Sequence, residues 1–238
     1  MSSDGQTMRS DGQPVRIALV ALFVTALVVS QVTASKLLAF DLPFSLPLAG
    51  DTLVLPGAAL AYALTFFASD CYAELYGRRA ATVVVNVGFA MNFVLLALVW
   101  STILAPGLPA AAQPVDPTAF RNVLAASTGI VVASLMAYVV SQNLDVFLFH
   151  ALRDATDGDA LWLRNVGSTA TSQLVDTIIF VGVGFVLFQG MGLAGAFSLV
   201  VGQYLLKLTI ALVDTPFVYA VVGFARGNGV GSVPTRAD

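Results

Sequence analysis

Charged side chains inside long apolar runs are the positions at which this sequence could do chemistry. A charge near the centre of a bilayer costs about 2.5–3.5 kcal/mol on insertion scales, so one that persists there needs a partner, a cavity or a task. Asp145 stands late in the run from Val123 to Phe149, and Asp176 lies in the run from Ser168 to Phe188. Lys207 is near the middle of the run from Leu193 to Phe224, with Asp214 about two turns later. Asp70 closes a further run, Leu53 to Ser69. Lys207 could neutralise Asp176 or Asp145 across a helix interface. A buried ion pair is often no better than apolar packing, so a water-filled binding cavity explains the same residues more economically.

The polar neighbours of these carboxylates recur at helical spacing. Ser134, Tyr138, Ser141, Gln142 and Asp145 form one polar stripe on an otherwise apolar helix. Ser168, Thr169, Ser172, Gln173, Asp176 and Thr177 repeat the pattern on the next. The segments Ser141-Gln142-Asn143-Leu144-Asp145 and Ser172-Gln173-Leu174-Val175-Asp176 share the spacing S-Q-x-x-D, a match too short to establish repeated halves of the chain. Two such stripes facing each other make a cavity. Ser and Thr also cap and glue helices, but Gln and Asp at i,i+3 on both helices are harder to assign to packing.

Three smaller groupings complete the candidates. Asp70 and Glu74 share a helical face beside Arg78 and Arg79, as a hydrated helix end paired with arginine or, for the deeper Asp70, as a substrate or proton ligand with Phe66 one turn before it. Leu161-Trp162-Leu163-Arg164-Asn165 places an aromatic, a cation and an amide before the fifth span, where Trp and Arg also serve as ordinary interface anchors. His150 is the single histidine and Cys71 the single cysteine. The sequence therefore predicts no disulfide framework, no metal site and no cofactor. It contains no G-x-S-x-G, no H-E-x-x-H and no P-loop. An acid/base pair of Asp145 and Asp176 would lack a nucleophile, so the chain is not expected to be an enzyme.

The elements that must hold these residues follow from composition. Of 238 residues, 58% are hydrophobic and 11% charged, against about 25% charged in a soluble domain, and the mean hydropathy is +0.86. Lipid is the expected solvent. Runs at Ile17–Ser35, Leu53–Ser69, Ala80–Leu104, Val123–Phe149, Ser168–Phe188 and Leu193–Phe224 predict an all-α integral membrane protein with six transmembrane helices. The breaks carry turn chemistry at Pro43 and Pro47, Gly77, Pro106 to Pro117, Asp157-Gly158-Asp159 and Gln189-Gly190-Met191-Gly192. Residues 1–16 are expected to be a disordered cytoplasmic tail, 17–224 the membrane domain and 225–238 a cytoplasmic C-terminal tail. Basic residues set the orientation. With the amino terminus inside, the cytoplasmic face receives Arg9, Arg16, Arg78, Arg79, Arg153, Arg164, Arg226 and Arg236, and the opposite loops only Lys36 and Arg121. Both termini are therefore expected in the cytoplasm. A net charge of -3 offers no footprint for nucleic acid.

Taken in order, Ala68-Ser69-Asp70, Ala133-Ser134-Leu135-Met136-Ala137-Tyr138 with Gln142 and Asp145, Ser168-Thr169 through Asp176-Thr177, and Lys207 followed by Thr215-Pro216 and Tyr219 resemble the VUT family of queuosine precursor transporters over residues 17–224. The resemblance implies a six-helix importer in the cell membrane for 7-deazaguanine bases such as preQ0 or preQ1, salvaged for tRNA modification. Such a deazapurine suits the polar stripes. Asp145 or Asp176 could accept paired N–H donors, while Gln142, Asn143 and Gln173 donate and accept. Phe66, Tyr138 or Trp162 could stack on the ring, and Asp70, Asn165 and Lys207 complete the candidate substrate-binding set. The family is similar in architecture to substrate-binding subunits of energy-coupling-factor importers, which dock a partner through small residues on the first helix. Ala21-x-x-x-Thr25 and Ala26-x-x-x-Ser30 are weak versions of that surface, and such a subunit is the alternative reading.

Overall fold

The computed structural model describes residues 12–46, 50–156, 161–227 and 230. Its elements run α1 (Gly12–Thr33), β1 (Leu37–Leu46), β2 (Gly50–Pro56), α2 (Ala59–Tyr76), α3 (Arg78–Leu104), α4 (Pro117–Ala155), α5 (Leu161–Val181) with a π-helical extension over Gly182–Leu187, and α6 (Leu193–Gly227). Among the described residues, α1, α3, α4, α5 with its extension and α6 are long and apolar enough to cross a membrane. Helix α2 is shorter, at 18 residues, and carries Asp70 and Glu74. Most of residues 1–16 lies outside the described part, and α1 reaches back to Gly12, ahead of the apolar run.

Among the described residues the fold is helical apart from one antiparallel hairpin, which the apolar runs did not signal. Leu53–Pro56, expected to open the second span, instead pair with Leu37–Phe40, and the helix starts at Ala59. A short apolar run fits a strand as well as a helix, and the partner strand decides. The ladder is regular to Asp41↔Thr52 and then irregular up to Leu46↔Gly50. Pro43, which has no N–H to donate, falls in the irregular part.

Two compact units make up the chain. The first contains α1 to Gln31, Ala58–Leu98 and α6 from Lys207. Tyr76 donates to the Gly12 carbonyl at 3.0 Å and Arg16 Nε to the Tyr72 hydroxyl at 2.9 Å, so α1 and α2 run antiparallel. Leu19, Phe23 and Leu27 pack there with Ala68, Cys71, Leu75 and Val222. A single residue, Gly77, separates α2 from α3. Its φ of 87° and ψ of 155° lie in a region essentially reserved for glycine, which lets the chain reverse within one peptide.

The second unit contains Val32–Gly57 and Val99–Leu206. Helix α4, capped by Asp116, whose carboxylate accepts from Ala119 N at 2.8 Å, packs along α5. Trp100 Nε1 donates to Thr128 Oγ1 at 3.0 Å, and the Tyr204 hydroxyl to the Ala170 carbonyl at 3.2 Å. The hairpin backbone meets α6 at Gly202, where any Cβ would collide with the carbonyl of Val54.

Candidate functional site

The two polar stripes meet along the α4–α5 seam, and the S-Q-x-x-D segments are cross-linked. Ser141 Oγ donates to Asp176 Oδ1 at 3.1 Å, and Ser172 Oγ donates to Asp145 Oδ1 at 3.1 Å. Antiparallel helices bring the first residue of each segment opposite the last of the other, so the two bonds are related by an approximate twofold axis. Both serines are buried and both aspartates half-buried. Each hydroxyl also lies within reach of its own helix backbone, Ser141 of the Tyr138 carbonyl at 3.3 Å and Ser172 of the Thr169 carbonyl at 3.0 Å. One proton serves two acceptors, so the carboxylates can exchange this donor for another without stranding the serine. An ionised carboxylate has about four lone-pair sites, which leaves acceptor capacity for N–H donors from outside the protein.

The other members of the stripes spread around this seam. Tyr138 and Gln173 are half-buried, whereas Gln142 and Asn143 are exposed. Asn143 Nδ2 donates to the Val139 carbonyl in its own helix at 2.6 Å. Trp162 and Asn165 lie in the first turns of α5, and their side chains are outside the described residues.

Phe66, Asp70 and Lys207 belong to the first unit. The Phe66 ring meets that of Tyr62 edge-on, centroids 5.1 Å apart, and Lys207 Nζ lies 6.0 Å from the Tyr62 centroid. These three side chains form an aromatic and cationic group across α2 and α6. Asp70 is exposed and lies within electrostatic reach of Asp214 and Glu74. Glu74 pairs not with Arg78 or Arg79 but with Arg226, whose Nη2 is 3.6 Å from its carboxylate and 2.9 Å from its carbonyl oxygen. The end of α6 competes successfully because it reaches both oxygens from a neighbouring helix.

Two amides inside apolar runs escaped the sequence reading. Asn92 on α3 and Gln203 on α6 are buried, with Asn92 Nδ2 and Oδ1 and Gln203 Nε2 lacking hydrogen-bond partners. The signal that could have found them is the same as for the charges, a polar side chain well inside an apolar span. Among the described residues, no three His, Cys, Asp or Glu gather to hold a metal.

Apolar helices longer than a bilayer is thick, carrying hydrogen-bonded carboxylates in their seam, define a multi-pass integral membrane protein. The chain belongs to the family described as "Putative vitamin uptake transporter", whose profile matches residues 56–221, a narrower span than 17–224 that begins at the end of β2 and covers α2 through most of α6. It is 34% identical over 163 residues to the "Probable queuosine precursor transporter" of Bacillus subtilis (strain 168), covering 67% of this chain and 68% of that protein. No solved structure matches.

Proposed function

We propose that this protein imports 7-deazaguanine precursors of queuosine, such as preQ0 or preQ1, for tRNA modification. The observation that carries the reading is the crossed Ser–Asp pair of α4 and α5, in a chain with a relative named as a queuosine precursor transporter. Besides its lactam edge a guanine-like ring carries an exocyclic amino group and a pyrrole N–H, donors that Asp145 or Asp176 accepts. Tyr138, Gln142, Asn143, Gln173, Trp162 and Asn165 supply further hydrogen bonds and stacking from the second unit. Within the first unit, Phe66, Asp70 and Lys207 are further substrate-binding candidates by themselves, a stacking ring and both signs of charge.

In this reading α2 is the sixth span. Its 18 residues measure about 27 Å, close to the roughly 30 Å hydrocarbon core. Six spans and the bias of Lys and Arg put both termini in the cytoplasm.

The test is restoration of queuosine in tRNA in a bacterium lacking both precursor synthesis and its own importer, supplied with external preQ0 or preQ1. A well-expressed protein that restores nothing overturns the reading. Uptake by the purified protein in liposomes is expected; its absence alongside ligand binding would assign the chain to a capture subunit that needs a separate ATPase.

A further inference from the structure

Asn92 is fully buried, 0% exposed, and neither of its amide atoms has a hydrogen-bond partner. It stands near the centre of α3, where lipid offers no water to satisfy the group. An unpaired buried amide is costly, and a fold gains nothing by keeping one. Leucine, of similar size, would serve packing better.

The level of Asn92 within the first unit follows from the helix contacts. Helix α3 begins one residue after α2 ends, and Tyr76 near that end bonds to Gly12 at the start of α1. Helices α1 and α3 therefore start together and run in the same direction. Gly88 packs on Phe23 and Leu27 of α1. One turn further along both helices, Asn92 is level with the stretch that ends in Ser30 and Gln31, both also buried. The seam is thus apolar at Gly88 and polar at Asn92.

We infer that Asn92 is a substrate-recognition residue for the lactam edge of a planar heterocycle, an inference that rests on the deazaguanine reading above. A carboxamide presents a donor and an acceptor side by side. The lactam edge of a guanine-like ring presents N–H and C=O side by side, so the two form paired hydrogen bonds in one plane. Both orphaned atoms are then satisfied together, by a ligand and not by the protein. In this conformation the seam is closed over Asn92, so a ligand reaches it when α1 and α3 part beyond the Gly88 contact.

The experiment measures thermal midpoints and affinities of the purified full chain with preQ1 and with its O6-methyl ether, which lacks the lactam N–H. Asn92→Leu is expected to raise the midpoint without ligand by about 2–4 °C, because it removes an unpaired amide, and to weaken preQ1 at least about tenfold. It also narrows the discrimination against the methyl ether. Asn92→Ala, which adds no volume, is the second variant and is expected to weaken preQ1 similarly. Unchanged preQ1 affinity in either folded variant overturns the inference, as does failure of both to fold, since an unpaired amide cannot be required for folding. If the unaltered protein binds preQ1 and Asn92→Leu binds it equally, only this inference fails. If the unaltered protein binds no 7-deazaguanine at all, the proposed function itself fails.

Discussion

Ser141 Oγ is 3.1 Å from Asp176 Oδ1, and the pair recurs in reverse between Ser172 and Asp145. Removing either carboxylate leaves the serine a backbone acceptor in its own helix, so the protein should persist in the membrane while its function suffers. Asp145→Asn and Asp176→Asn are each expected to lower preQ1 uptake about tenfold or more at unchanged membrane abundance. Normal uptake by both variants would move the binding site elsewhere.

Removing a serine instead leaves a carboxylate short of a donor. Hydrogen bonds across membrane helices average about 0.6 kcal/mol, so Ser141→Ala and Ser172→Ala should each lower the thermal midpoint by roughly 1–3 °C. The approximate twofold relation predicts similar losses for the two variants, measurable by thermal unfolding in detergent.

The Glu74–Arg226 pair offers a contrast. Its side chains are 61% and 53% exposed, at 3.6 Å, and exposed pairs contribute about 0–1 kcal/mol. Glu74→Gln should leave both midpoint and uptake within error of the parent. A large loss of uptake would make Glu74 part of the binding machinery.

At Gly202 the constraint is backbone against backbone, which no side-chain rotation relieves. Gly202→Val should detach the hairpin from α6 and cost more than about 2 kcal/mol. Limited proteolysis should then cut within residues 37–56 sooner than in the parent.

Topology is open to a labelling test. In a Cys71→Ala background, which removes the single native thiol, Lys36→Cys should react with a membrane-impermeant maleimide in intact cells. Arg79→Cys should react only after permeabilisation. The reverse pattern would invert the orientation.

The parts of the candidate site that could be read from sequence are those with a periodic signal. Ser141, Asp145, Ser172 and Asp176 recur at helical spacing, and the structure brings them together in one seam. What periodicity cannot convey is rotation about each helix axis, so Gln142 and Asn143, adjacent to Ser141, are exposed where Ser141 is buried. Leu53–Pro56 were misread because four apolar residues carry no length signal, and only pairing with Leu37–Phe40 makes them a strand. Asn92 and Gln203 are single amides within apolar spans, outside the S-Q-x-x-D spacing that marks α4 and α5.

The one-residue connection at Gly77 also bears on biogenesis. Helix α2 is a poor candidate for insertion by itself, since Asp70 and Glu74 oppose partition from the translocon into lipid. Helix α3 is strongly apolar. In the six-span reading proposed above, the one-residue link favours entry of the two helices together as a helical hairpin, the apolar member carrying in its acidic neighbour.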